Sequence, residues 1–171
     1  MPATRIGQIT QADVYLDDKS LVGRFKDFTT PDIEWQEIEH ETLGQIAALS
    51  LPGRPLKKLT GKFTIEYLDD ALYPRLYNPT IFFPFALHSY VDVFDAAGLS
   101  KDASYRVVTN VTIAIRRVGG HAFKLGEKFE GEAEWSATRF VQGVPGATPW
   151  VEYDVMNQVA RNNGVDIWSQ Y

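Results

Sequence analysis

The side chains able to do covalent or metal chemistry are few and scattered. His40, His88 and His121 fall in separate segments with no i, i+4 pairing and no ligand spacing, so they read as ordinary surface or core histidines. Carboxylates are plentiful, and Glu130, Glu132 and Glu134 recur at every second position. In a strand that spacing points all three the same way, which suits a solvated stripe better than an acid–base dyad. The glycines match neither GxGxxG nor GxxxxGK followed by Ser or Thr, and there is no GxSxG elbow, which removes the common dinucleotide, phosphate and hydrolase signatures. The chain has no Cys, so thiolate chemistry, disulfides and Cys-ligated metals are excluded, and the redox compartment is left open. An enzyme is the least supported class. No residue pattern calls for a cofactor or a metal.

The composition is that of one folded domain. Of 171 residues 44% are hydrophobic and 13% aromatic, too rich for disorder, and the length suits a single core. With 17 Lys plus Arg against 22 Asp plus Glu the formal charge is −5, so no basic nucleic-acid footprint is expected. The aromatic group Phe82, Phe83, Phe85, Tyr90 and Phe94 lacks the interleaved cations of a base-stacking platform and reads as core. The most apolar window, Ile81 to Leu87, is short and broken by Pro84, and Met1 to Gln11 has no signal-peptide core. A soluble product with no stable membrane insertion is expected. Asn110, Val111 and Thr112 match a glycosylation acceptor but read as strand residues.

The elements that would position these side chains are mostly strands. Ala12 to Leu16 and Leu21 to Phe25 flank the polar tip Asp17 to Ser20 as a hairpin. Ile33 to Thr42 alternates imperfectly, so its register is open. The segment of about 42–58, with Gly44, Pro52, Gly53 and Pro55, reads as an extended loop or arm whose Ile46, Ala48, Leu49 and Leu51 need cover from elsewhere. Lys57 to Tyr67 alternates cleanly, and Asp69 or Asp70 caps a short helix carrying Leu68, Leu72 and Leu76, limited by Pro74. Thr80 to Asp95 reads as a strand. Tyr105 to Arg116 and Phe129 to Thr138 form the strongest antiparallel pair, each with one greasy face. Two strands of that length exceed what a 19.3 kDa core requires, which implies shared surfaces. Trp150 to Val155 is a closing strand, and about 157–171 reads as a short helical or irregular tail. The expected class is mainly β: two packed antiparallel sheets forming a barrel or sandwich, with one short helix and long hairpins.

This order of features resembles the major tail tube protein of contractile-tailed bacteriophages, a type shared with contractile bacteriocins and related injection systems. The likeness is broad and runs from about Asp13 to Asp166. Asp17 to Ser20 resembles the family's N-terminal hairpin turn, Phe28 to Pro55 its strand and long subunit-contacting loop, and Leu59 to Leu68 the strand leading to its small helix. Glu127 to Phe140 resembles its long strand, and Val151 to Asp166 its closing segment most specifically. Thr29 to Asp32 depart from the Leu-Pro-Lys-Leu type segment usual in relatives. The resemblance implies a single tube domain over 1–171 that forms hexameric rings stacked into a hollow conduit. Implied partners are other copies of the chain, a sheath protein, a tape-measure protein, a baseplate initiator and a tail terminator, with DNA as non-specific passing cargo. The implied location is a virion tail or phage-like particle assembled in the bacterial cytoplasm. Glu130, Glu132 and Glu134 become lumen-facing candidates. Ile46, Ala48, Leu49, Leu51, Arg106 and Arg116 become inter-subunit candidates. The alternatives are the inner tube of a secretion or injection system carrying protein effectors, and a monomeric β-barrel binding module.

Overall fold

The computed structural model describes residues 4–44 and 46–168. The chain opens with β1 (Ile6–Leu16), which turns through Asp17 and Asp18 into the two-residue β2 (Lys19–Ser20). Both turn residues have left-handed backbone, φ 49° and 61°, as a tight two-residue hairpin connection demands, and Asp tolerates that conformation better than most residues. Then come β3 (Phe25–Thr29), β4 (Trp35–His40), β5 (Leu49–Leu56), β6 (Thr60–Ile65) and the single helix α1 (Tyr73–Leu76). The long strands β7 (Phe82–Asp95), β8 (Gly98–Val118) and β9 (Gly131–Gly143) follow, and β10 (Val151–Asp154), β11 (Val159–Asn162) and β12 (Val165–Asp166) close the chain.

All pairings are antiparallel. Ten strands form one branched sheet and β4 pairs with β5 apart from it. The branch point is β9. One edge pairs with β8, while the other is shared: Gly131 to Ser136 face β6, and Arg139 to Gln142 face β10. The change of partner falls at Ala137, whose N–H donates to Leu59, and Thr138, whose carbonyl accepts from Val155. Thr138 is also the extra residue where the β8 register shifts, and its hydroxyl bonds the Thr112 carbonyl at 3.3 Å. A bulge increases local twist, which lets one strand leave one sheet and enter another.

The path β3-β6-β9-β8-β7-β1 curls until its ends face each other across the core. Phe25 and Phe28 of β3 lie 6.0 and 5.6 Å from Phe85 of β7, and Phe28 lies 5.4 Å from Trp135 of β9. The curl does not close, because β3 and β1 exchange no ladder. The bond from the Leu21 N–H to the Val14 carbonyl precedes the turn into β3. The mainly β, antiparallel architecture with one short helix is the expected class, realised as an open, branched sheet folded over its own core.

The alternation patterns hold within the strand centres, while Tyr67, past the end of β6, and Tyr105 are exposed. Phe63, Ile65, Val107, Val111, Ile113, Ile115, Ala133, Trp135 and Ala137 are all buried. Phe83 and Phe85 share that core, whereas Phe82 and Tyr90 lie on the opposite face of β7 and stay half exposed. Four expectations change. The first hairpin pairs through Lys19–Ser20 only, and Leu21 to Arg24, expected within its second arm, turn into β3. The Pro-rich stretch is a strand, β5, since a two-stranded ribbon leaves outward N–H positions where Pro52 and Pro55 are tolerated. The helix is one turn only. Asp69 accepts from the Ala71 and Leu72 N–H groups and pairs with Arg24, and Pro74 sits at the helix start, where its missing N–H is not needed. Leu72 and Leu76 are buried, but Leu68 precedes the turn and is exposed. The C-terminal segment forms the strands β11 and β12, not a helix.

The tightest packing lies where β6 crosses the branch strand. Trp135 is wholly buried, directly opposite Gly61, and a β-carbon on Gly61 would lie 2.4 Å from the indole and 2.5 Å from the Thr29 carbonyl. Gly61→Ala should therefore cost about 1–3 kcal/mol through overpacking, and Trp135→Ala about 3–5 kcal/mol through the cavity left behind. Urea midpoints of the unassembled chain check both. A neutral Gly61→Ala would show that the two strands are not held this closely.

Candidate assembly surfaces

The residues singled out from sequence fall on two surfaces. The first is the face of β8, β9, β10 and β11 opposite the core. Because Ala133, Trp135 and Ala137 point inward, Glu132 and Glu134 point outward, and Glu130 precedes them on the same parity. None stands alone. Glu130 is held by Lys26 at 2.8 Å. Glu134 takes Arg117 at 2.7 Å and Arg116 at 3.2 Å, and Arg117 reaches Glu132 at 3.8 Å. A register shift between Ile115 and Arg117 lets two consecutive arginines meet one carboxylate. The pattern continues along the sheet: Arg139 lies 3.7 Å from Glu152 and 4.0 Å from Asp154, and Arg161 lies 3.3 Å from Glu152.

What reads as an acidic stripe in sequence is therefore a charge-balanced mesh. Four carboxylates (Glu132, Glu134, Glu152, Asp154) interleave with four guanidinium groups (Arg116, Arg117, Arg139, Arg161). The three glutamates are not a bare acidic row, since each carboxylate has a cation at contact. Sequence reasoning missed Arg117, Lys26, Arg139, Glu152 and Arg161. The only local signal was the Arg116–Arg117 doublet opposite the glutamates. The contacts show in the titration behaviour as well. A hydrogen bond from Lys26 and its charge hold Glu130 below the usual carboxylate value, and Lys26 is correspondingly raised. Glu134 is lowered chiefly by the Arg117 hydrogen bond, and Asp154 by hydrogen bonds from Asn157. Arg116 thus has a partner within its own chain, while Arg106, exposed on β8 opposite Tyr90, has no ion-pair partner among the described residues.

The second surface is the β4–β5 arm. Cross-strand pairs run from Trp35 and Leu56 at the base through Ile38 and Leu51 to His40 and Leu49. Glu37 accepts from the Ser50 hydroxyl at 2.8 Å, and the base is tied by Lys57 to Glu34 at 2.5 Å. A bulge between Trp35 and Glu37 brings Gly53 against the Gln36 carbonyl, where a β-carbon would lie at 3.0 Å. Ile46 is fully exposed in the turn and Ala48 is exposed beside it; Leu49 and Leu51 are half exposed. Leu43, fully exposed, and Ile38 belong with them and were missed because the strand register of this segment was open. A two-stranded ribbon with apolar side chains on its surface is marginal by itself and calls for cover.

Other uncovered features point the same way. From Ile6 to Asp13, β1 pairs with β7 on one edge and has no described strand on the other, and Ile6 and Ile9 are exposed there. Phe123 and Leu125 protrude from the β8–β9 connection. Among the described residues no three His, Asp or Glu groups could hold a metal ion, and no helix is long and apolar enough to cross a membrane. His88 packs on Tyr15, and His121 on Phe123 and Phe129. The chemistry on offer is recognition of other protein surfaces through open edges, apolar side chains and ion pairs.

No curated protein matches the chain. Among solved structures it is similar to a chain in the sheath/tube terminator of an extracellular contractile injection system (PVC) in the extended state. There the TM-score is 0.57 at 13% identity, covering 79% of this chain and 94% of that one. It is similar also to a chain of the PVC sheath-tube complex in the extended state, with TM-score 0.54 at 14% identity, covering 78% and 88%. At such identities the likeness is one of fold. The sequence itself matches the family of phage tail tube protein FII over residues 6–171, from the first strand to the C-terminus, and the chain belongs to that family of structural tail tube proteins.

Proposed function

We propose that the chain is the repeating subunit of the inner tube of a contractile phage tail or phage-like particle, arranged as hexameric rings stacked into a hollow conduit. The observation that carries this reading is the uncovered β4–β5 arm on a chain of the tail tube family. Leu43, Ile46, Leu49 and Leu51 would gain cover from a neighbouring copy, and the unpaired edge of β1 would gain a strand, which relieves both liabilities of the isolated subunit. The mesh face, with Glu130, Glu132 and Glu134, lines the channel in this reading. Interleaved charges present little net field to a polyelectrolyte sliding past, so cargo passes without sticking. Arg106, with no ion-pair partner among the described residues, is the better of the two arginines for a contact between subunits.

A sheath protein surrounds the tube, and a tape-measure protein, a baseplate initiator and a tail terminator bound it. Particles are assembled in the bacterial cytoplasm and act outside it. The same subunit serves a tube carrying protein effectors in an injection system, and nucleic acid content of purified particles separates the two. No bond is made or broken in either role.

Three outcomes follow. Negative-stain microscopy of the concentrated protein should show rings or hollow rods, and a monomer that persists at all concentrations would overturn the tube reading. Leu49→Asp should stop rod growth while leaving the circular dichroism of the monomer unchanged; normal polymerisation at matched concentration would remove the arm from assembly. Thirdly, Glu130 and Glu134 have folded-state pKa values below their ordinary 4.5, so their ion pairs stabilise the chain above that value, and the contribution is lost as pH falls through the lowered values. Glu134→Gln should therefore flatten the loss of melting temperature on acidification below about pH 4.5, read by thermal unfolding from neutral to acidic pH.

A further inference from the structure

The chain carries five Asn residues, and one of them precedes Gly. Asn163 and Gly164 are the central residues of the turn between β11 and β12, with Asn162 paired to Val165 across it. Both have left-handed backbone, φ 49° and 77°, which a two-residue hairpin connection demands and which Asn and Gly supply most readily. The dipeptide that the turn requires is also the one whose side-chain amide is least secure, because glycine places no side chain in the way of its own nitrogen. We propose that Asn163 is a self-modifying site: it converts without an enzyme to aspartate and isoaspartate, and the isoaspartate form releases β12.

The step is an intramolecular acyl transfer. The Gly164 nitrogen, its proton lost to solvent base, attacks the Asn163 Cγ; the Cγ–Nδ2 bond breaks, and ammonia leaves with a proton from water. A five-membered succinimide then joins the two residues, and water opens it at either carbonyl. Opening at Cγ leaves aspartate. Opening at the backbone carbonyl leaves isoaspartate, with the chain now running through Cβ and Cγ. The balance is one water consumed and one ammonia released.

Geometry selects Asn163 from the five. Asn78 precedes Pro79, which has no N–H to attack with. Asn110 lies inside β8, and the Val111 that follows is buried and paired on both sides, to Phe85 and Phe140. Asn157 donates its side-chain amide to Asp154 at 2.7 Å. Asn162 is followed by an N–H already engaged, that of Asn163 on the Trp150 carbonyl at 3.0 Å. The Gly164 N–H has no hydrogen-bond partner among the described residues, and Asn163 and Gly164 are both exposed.

Ring closure requires Asn163 to leave the turn conformation, and little opposes that. β12 is a two-residue strand at the end of the sheet, held to β11 by the pairs Arg161–Asp166 and Asn162–Val165. Segments of this kind open far more often than the whole chain unfolds. The two products then differ. Aspartate accepts left-handed backbone, as Asp17 and Asp18 do in the first hairpin, so it keeps the turn. Isoaspartate adds a carbon to a connection whose register depends on two residues, and β12 comes away. The Ile167 N–H then loses the Ala160 carbonyl, 2.9 Å away. Trp168 leaves its stack with Arg54 and the groove of about 970 Å³ at the base of the β4–β5 arm, which it lines with Trp35, Tyr153 and Val159.

The chemistry belongs to the single chain and stands whether or not the chain forms a tube. Full-length folded protein held in mildly alkaline buffer should release ammonia, and faster as the pH is raised, since more of the Gly164 nitrogen is then deprotonated. Its tryptic peptide beginning at Asn162 should gain the mass of an amide-to-acid change and split into two chromatographic forms, with fragmentation placing the change at Asn163. A folded chain that keeps this amide while the urea-unfolded chain loses it overturns the proposal, as does earlier conversion at any other Asn. Amide exchange on the aged mixture reads the second half. The isoaspartyl form should take up deuterium faster over Val165 to Ile167 than the aspartyl and unmodified forms of the same sample, and equal uptake overturns the release of β12.

Discussion

The structure depends on β9 serving two sheets with one edge. Its first half, through Trp135, is clamped to β6 by the contact with Gly61, and its second half is given to β10. A strand can divide its edge only if the two partners diverge, and the bulge at Thr138 supplies the extra twist where they part. Below the fork β6 and β3 wrap toward β7, enclosing Phe25, Phe28, Phe63, Phe85 and Trp135 as one aromatic core. Above it, β10 to β12 extend the sheet outward. Gly61 is the one residue type that permits this arrangement, because any side chain there would push β6 away from the indole and from β3 on its other side.

The surfaces follow from that division. Because β6 is taken by β9, the chain between β3 and β6 has no place in the sheet and leaves as the β4–β5 arm, anchored by Trp35 and Leu56 against the core. Because β10 departs on the same side of β9, it forms the far wall of the groove at the arm's base. Arm and groove are thus two consequences of one fork.

Legibility in the sequence tracks how much each segment is governed by its own core face. Val107 to Ile115 and Gly131 to Ala137 alternate because one side of each strand is packed, so both strands and the inward direction of Trp135 could be read directly. The β4–β5 segment buries little more than Gly53 and, in part, Trp35 and Leu56, so hydrophobic alternation is not imposed on it, and its prolines read as loop. The short closing strands β11 and β12 were missed for a related reason: they are held by turns with Gln158 and Asn163 at positive φ rather than by apolar periodicity. The helix was legible in place but not in length, since Asp69 bonds the turn ahead of it and the helical hydrogen bonds begin later.

The mesh shows what a one-dimensional reading omits. Parity places Glu130, Glu132 and Glu134 on one side, but potential depends on what stands across the ladder, and that is a matter of register. The shift at Ile115 places two arginines against Glu134, and the pairing of β9 with β10 and β11 brings Arg139 and Arg161 to Glu152. Exposed ion pairs of this kind add little stability singly. Arranged in alternating rows they do something else: they hold each charged side chain to its neighbour and leave few charges free to take a partner from outside. In the tube reading proposed above, engaged charges suit a surface past which a long charged polymer slides better than a bare row of one sign would. A bare row would repel its cargo or, if basic, retain it, and it would demand counter-ions that a narrow channel must then accommodate.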